Sequence, residues 1–218
     1  MNDLKDKTAI VSGGSDGIGL AIARNRELAD YLVEHGYDFC AHGFRWIDYQ
    51  FVEEKVEREH IKDCISILTE FLGKRPEGWY TGRNSPNTRK LIIEEGGFLY
   101  DSDAYDDDLP YWANEFDTDK KHLIIPYTLD ANDMRFTSAQ GFNSGDQFYN
   151  YLKDSFDVLH KEGETNPKMM SVGLHCRIIG KPGRIQSLKK FLDYILKHED
   201  IWICKRVDIA KHWIKNYS

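Results

Sequence analysis

The chain carries side chains fit for moving protons and for holding a flat polar ligand, and most of them directly follow short apolar runs. His42 stands behind Tyr37–Ala41, Arg83 behind Gly78–Thr81, and Asp101 and Asp103 close Phe98–Ser102. Asp130 and Asp133 follow His122–Thr128, His175 and Arg177 follow Met169–Leu174, and Lys205 and Arg206 follow Ile201–Cys204. A free imidazole titrates at about pH 6.5, so His42 and His175 need little tuning for general acid–base work. Asp101 and Asp103 offer carboxylates that can orient an imidazole or a guanidinium. Arg83 and Arg177 are planar forks that match paired carbonyl oxygens. Trp46, Trp79 and Trp112 are candidate walls for a flat-ring pocket. Each group also has a plainer alternative: a hydrogen-bonded structural histidine, an arginine in a surface ion pair, a core tryptophan. Asp106-Asp107-Asp108 reads as a solvated turn, because no calcium-loop glycine spacing follows it.

The apolar runs are the predicted strands, with Thr8–Val11 ahead of them. Periodic segments between them predict helices. Ile61, Cys64, Ile65, Leu68, Phe71 and Leu72 share one face, and Gly73 ends it. Ser85-Pro86 predicts a helix start and Gly96-Gly97 its end. Ser144 with Gln147 forms a capping-box pattern before Phe148, Tyr151, Leu152, Ser155, Phe156 and Leu159. Ile185, Leu188, Phe191, Leu192, Ile195 and Leu196 line a later helix. Repeated βα units predict a parallel sheet, and polar residues behind so many strands favour a (β/α) barrel, where such ends converge on one face, over an open doubly wound sheet. With no internal repeat or linker, residues 1–218 read as a single domain.

A chain of 218 residues with 41% hydrophobic and 30% charged residues is too apolar to be disordered. Its 29 Lys and Arg against 36 Asp and Glu give a net charge of −7, which argues against a nucleic-acid or anionic-membrane surface. No apolar run nears the roughly 20 residues that span a bilayer. The N-terminus lacks the apolar core of a signal peptide. Cys40, Cys64, Cys176 and Cys204 form no CxxC pair, so reduced thiols and a cytoplasmic location are expected.

Two resemblances add to this reading. Residues 7–24, with Ser12-Gly13-Gly14-Ser15-Asp16-Gly17-Ile18-Gly19, resemble the glycine-rich start of short-chain dehydrogenases, in which a helix N-terminus holds a diphosphate. Beyond it that pattern fades. Tyr37–Ala41 ends in His42-Gly43 with no acidic residue for a ribose, no Asn-Asn-Ala-Gly motif occurs, and Tyr149 with Lys153 matches the Tyr-x-x-x-Lys spacing by chance. No cofactor is expected, and an NAD(P)-dependent oxidoreductase stands as an alternative only.

From residue 21 onward the chain resembles the metal-independent, bacterial-type allantoinases of the polysaccharide deacetylase (NodB-homology) superfamily. The carrying segments are Ala41-His42-Gly43-Phe44-Arg45-Trp46, Gly78-Trp79-Tyr80-Thr81-Gly82-Arg83-Asn84-Ser85-Pro86, Gly97-Phe98-Leu99-Tyr100-Asp101-Ser102-Asp103, Pro126-Tyr127-Thr128-Leu129-Asp130-Ala131-Asn132-Asp133 and Gly173-Leu174-His175-Cys176-Arg177. The resemblance implies a deformed or incomplete α/β barrel and a hydrolase of non-peptide C–N bonds that opens allantoin to allantoate in purine breakdown. For that chemistry the candidate catalytic residues are His175 for acid–base work, His42 to position water or hold a ring carbonyl, and Asp103, with Arg83, Arg177, Trp46, Trp79 and Trp112 as candidates to hold a cyclic ureide substrate, and the resemblance implies a homo-oligomer. Carbohydrate deacetylase relatives use a metal held by an Asp and a His-x-x-x-His pair. Here Trp46 stands where the second histidine would be, so no metal is expected. The family's first barrel strands are replaced by the dehydrogenase-like start, which would impair turnover. A polysaccharide or chitin deacetylase and a non-catalytic barrel are the remaining alternatives.

Overall fold

The computed structural model describes residues 26–113 and 121–217. The predicted strand Thr8–Val11 and the glycine-rich start lie outside the described residues. The described residues group into two compact units, one formed by 26–104, 110–113, 121–126 and 203–217, the other by 105–109 and 127–202.

The first unit is a sheet with helices. Its elements run α1 (Arg26–Glu34), β1 (Cys40–Ala41), α2 (Glu54–Leu72), β2 (Gly78–Trp79), α3 (Thr88–Glu95), β3 (Tyr100–Asp101), β4 (Tyr111–Ala113) and β5 (His122–Ile124), and α7 (Arg206–Asn216) closes the chain. The strand order is β1-β2-β3-β5-β4, parallel except for the β4 edge. This is the α/β architecture expected from the βα repeats. The strands are shorter than the apolar runs that predict them, though single bonds such as Tyr80 N–H to Ala41 O (2.8 Å) and Ile125 N–H to Asp101 O (2.9 Å) extend the ladder. Gly43 (φ 71°) and Gly82 (φ 68°) turn the chain out of the sheet close behind the strands, which frees the residues there from pairing.

Phe39 just before β1, Ala41 on β1 and Trp79 on β2 pack against Ile61, Cys64, Ile65, Leu68 and Leu72 of α2 and Leu91 and Ile92 of α3. Trp79 is therefore a core residue at 2% exposure, edge-on to Phe98 at 5.5 Å, and not the pocket wall that its motif suggests. Its neighbour Gly78 is required by packing, since a Cβ there would lie 2.2 Å from the Tyr100 ring. The Gly73 cap is left-handed (φ 69°) as predicted. Ser85-Pro86 forms a turn instead of a helix start. The Ser85 hydroxyl accepts from Asn87 N–H (2.9 Å) and donates to buried Glu57 (2.6 Å), which postpones α3 to Thr88.

The second unit is mainly helical: a 3-10 turn (Asp133–Phe136), α4 (Gly145–Gly163), α5 (Cys176–Ile179) and α6 (Pro182–Ile195). Ser144 accepts from Gln147 N–H at 3.4 Å, while the Gln147 side chain caps Asn143 N–H at 2.7 Å, one residue before the expected partner. Phe148, Leu152 and Phe156 of α4 and Phe191 and Ile195 of α6 are buried. Met169–Leu174 contributes only an isolated parallel bridge, Gly173 to Asn132, and Ile201–Cys204 is not a strand. Lys153 binds Asp157 along its own helix and lies 4.8 Å over the Tyr194 ring, so it does not form a Tyr149–Lys153 pair. Among the described residues no helix is long and apolar enough to cross a membrane.

Candidate active site

In the first unit the sequence-predicted carboxylates sit at the end of β3. Asp103 is held by main chain: Thr81 N–H lies 3.0 Å from both of its oxygens and Gly82 N–H donates to Oδ1 at 2.7 Å. The left-handed turn at Gly82 aims that N–H, and a Cβ there would meet the Tyr80 hydroxyl at 2.8 Å. Asp101 is fully buried. It accepts from Arg89 Nε (3.0 Å) and from Asp103 N–H (3.0 Å), and pairs with His122 Nε2 at 2.8 Å.

These two neighbouring carboxyls are driven apart. Burial, opposed by the Gly82 amide and assisted by the negative charge of Asp101, pushes Asp103 up to about 7. Burial also opposes the charge on Asp101, but there the bonds from His122 and Arg89 prevail and hold it below the ordinary carboxylate range. A carboxyl that exchanges its proton near neutrality beside one that stays ionised is an arrangement suited to acid–base work. Arg89 and His122 are residues that sequence reasoning missed. One looks like an exposed helix position and the other like an ordinary strand start, and only the fold brings them to Asp101.

His42 lies between two aromatic edges, Trp46 at 5.1 Å and Tyr80 at 4.8 Å. Arg83 is exposed, with its guanidinium 4.8 Å over the Trp46 ring. Trp46, 55% exposed, thus offers a flat surface bordered by an imidazole and a guanidinium. Trp112 is used otherwise: on the edge strand β4 its indole N–H donates to Tyr217 O at 2.8 Å, tying the C-terminal residues to the sheet.

In the second unit His175 pairs with Asp133, another residue not singled out for the site. Asp133 is fully buried, with one oxygen 2.7 Å from His175 Nδ1 and the other accepting His175 N–H at 2.8 Å. The Asp133 contact is made through Nδ1, so Nε2 is the ring nitrogen turned away from that carboxylate. Arg177 is exposed in the short helix α5. His42, Arg83 and Asp103 thus belong to the first unit, and His175 and Arg177 to the second.

The metal triad of the carbohydrate deacetylases does not fit the described residues around His42. The position four residues on is Trp46, whose ring packs against His42, and no third donor joins them among the described residues.

The α/β fold that carries these side chains is one that several solved structures share. The crystal structure of Puue allantoinase superposes with a TM-score of 0.88 at 57% identity, over 91% of this chain and 66% of that one. The same figures hold for the structure of a Pseudomonas aeruginosa PAO1 protein named, provisionally, as a polysaccharide deacetylase. A Schizosaccharomyces pombe protein with the same provisional name is 41% identical over 211 residues, covering 90% of this chain and 66% of the relative. The polysaccharide deacetylase superfamily is thereby supported for this chain by homologue and structure alike, and its (β/α) barrel-type fold with it. No family model matches the chain. The chain spans just under two thirds of the length of these relatives. None of these likenesses supports a dehydrogenase.

Proposed function

We propose that this chain is a hydrolase of the polysaccharide deacetylase superfamily acting on a cyclic amide, with allantoin opened to allantoate as the reaction. The observation that carries the proposal is the Arg83–Trp46–His42 arrangement, in which an indole face occupies the place of a metal-binding imidazole. With the exposed Arg83 side chain swung off the ring, a planar ureide can take its place on the indole and present its carbonyl oxygens to the guanidinium fork. The 57% identity to Puue allantoinase accords with this reading, and the equal identity to the Pseudomonas aeruginosa protein makes a deacetylase the alternative to test.

The chemistry then follows from Asp103. Its carboxylate takes a proton from a water positioned by His42, and the water oxygen attacks the ring carbonyl carbon. The charge that develops on the carbonyl oxygen is met by Arg83. As the C–N bond breaks, Asp103 returns the proton to the departing ring nitrogen, so one carboxyl serves as base and then as acid. A group that titrates near 7 suits both halves of this cycle. His175, backed by Asp133, supplies a further proton-handling group in its own unit. The protein works as a homo-oligomer on a small ureide, in the cytoplasm.

Incubating the full chain with allantoin, with and without chelator, and measuring allantoate tests the reading. Turnover that survives the chelator is expected. Acetate released from N-acetylated oligosaccharides, with no allantoate formed, would replace the proposal by the deacetylase reading that the name of the Schizosaccharomyces pombe relative suggests.

A further inference from the structure

The second unit contains a cluster of donors that the proposed chemistry does not use. His160 lies near the end of α4, while His198 and Asp200 lie in the turn that follows α6. His160 Nε2 is 3.0 and 2.9 Å from the two oxygens of Asp200. The His198 ring stands 4.8 Å from that of His160, inclined by 64°. One donor atom from each of the three residues falls within 4.8 Å of the others.

An ion pair between His160 and Asp200 alone does not need a second imidazole, and here the second one is deliberately walled in. Phe156 stacks on His160 at 5.3 Å and meets His198 edge-on at 5.0 Å, and Tyr194 closes on His198 at 5.5 Å. His198 N–H donates to Ile195 O at 3.0 Å, which fixes the turn that carries the ring.

We propose that His160, His198 and Asp200 bind a borderline divalent transition-metal ion, with zinc as the reference ion and solvent completing the coordination. Two imidazoles and a carboxylate are a common donor set for such ions, whereas magnesium and calcium require oxygen donors throughout. Tetrahedral zinc places its donors about 3.4 Å apart, so the widest separation must close by about 1.4 Å. Asp200, 68% exposed, is free to swing by that much. This triad shares no residue with the Asp and His-x-x-x-His pattern that would centre on His42. Its consequence is mechanical: the ion ties the turn after α6 to the end of α4 and stabilises the folded unit by mass action.

The test uses the full chain, stripped of metal by chelator and desalted, then titrated with Zn²⁺ by calorimetry and with Co²⁺ by visible absorption. A saturable site is expected, together with a zinc-dependent rise in unfolding temperature. The triple variant His160→Gln/His198→Gln/Asp200→Asn should lose affinity by about tenfold or more and lose the thermal shift. His198→Gln alone leaves the His160–Asp200 pair in place. It should keep the metal-free unfolding temperature and still lose the zinc response. Equal zinc binding by wild type and triple variant, an unaltered zinc response in His198→Gln, or no binding by wild type would each overturn the proposal.

Discussion

The two units hold their proton-handling groups by different means. In the first, Asp103 is gripped by the main-chain amides of Thr81 and Gly82 at the end of the neighbouring strand. In the second, His175 is gripped by one side chain, Asp133, which takes both its ring N–H and its backbone N–H. A main-chain grip is insensitive to side-chain chemistry but sensitive to backbone conformation. A side-chain grip has the opposite weakness.

The sharpest way to break this comparison is at the carboxyl itself. Asp103→Asn cannot take a proton and should lower kcat for ureide opening by about 10²- to 10⁴-fold while the fold survives. Undiminished turnover would remove Asp103 from the chemistry. Next comes the side-chain grip. Asp133→Asn should lower kcat by about 10- to 100-fold, and the same change made on top of His175→Ala should add nothing. Additive losses in that double variant would separate the two residues. The main-chain grip is probed by Gly82→Ala, which forces a Cβ into a left-handed turn and against the Tyr80 hydroxyl. It should cost about 1–3 kcal/mol in urea unfolding and reduce turnover with it.

The remaining effect is a pH slope. Asp103 has its carboxyl raised from 3.8 to about 7, so between those values the folded chain binds a proton that the unfolded chain has released. Asp103 therefore detracts from stability as pH rises through that window, fully so above it. Asp101, held low, acts in the opposite sense: its contribution is present above the unfolded value and is lost as pH falls through the folded one. Urea titrations at about pH 4, 6 and 8 should show wild type losing stability relative to Asp103→Asn as pH rises. A parallel pair of curves would contradict the raised carboxyl.

Much of the fold was readable from local pattern. The apolar stripe and Gly73 marked α2 and its end, and Ser144 with Gln147 marked the start of α4, because caps and amphipathic faces are settled within a few residues. Strand lengths were not readable. A strand exists only where a partner offers its amides, and Met169–Leu174 and Ile201–Cys204 look apolar enough without having such a partner over their length. The same division holds for the site. His42, Asp103 and His175 announced themselves by type and position behind apolar runs. Arg89 and His122 did not, and Asp133, though it stands behind an apolar run, gave no sign of its partner, since each acts through a contact 12 to 42 residues away along the chain. The tryptophans show the limit of reasoning by residue type. Trp46, Trp79 and Trp112 look equivalent in sequence, yet one lies open beside Arg83, one is core, and one fastens an edge strand.

Arg206 adds a constraint of timing. Its guanidinium donates to the Ser102 hydroxyl at 3.2 Å and to the carbonyls of Ile125 and Pro126 at 3.0 Å, partners 80 to 104 positions earlier. During synthesis the ends of β3 and β5 must wait, without this partner, until residue 206 has left the ribosome. The first unit, whose segments emerge first, is thus among the last to be completed, and a nascent chain stalled before residue 206 would expose those unmet acceptors to chaperones.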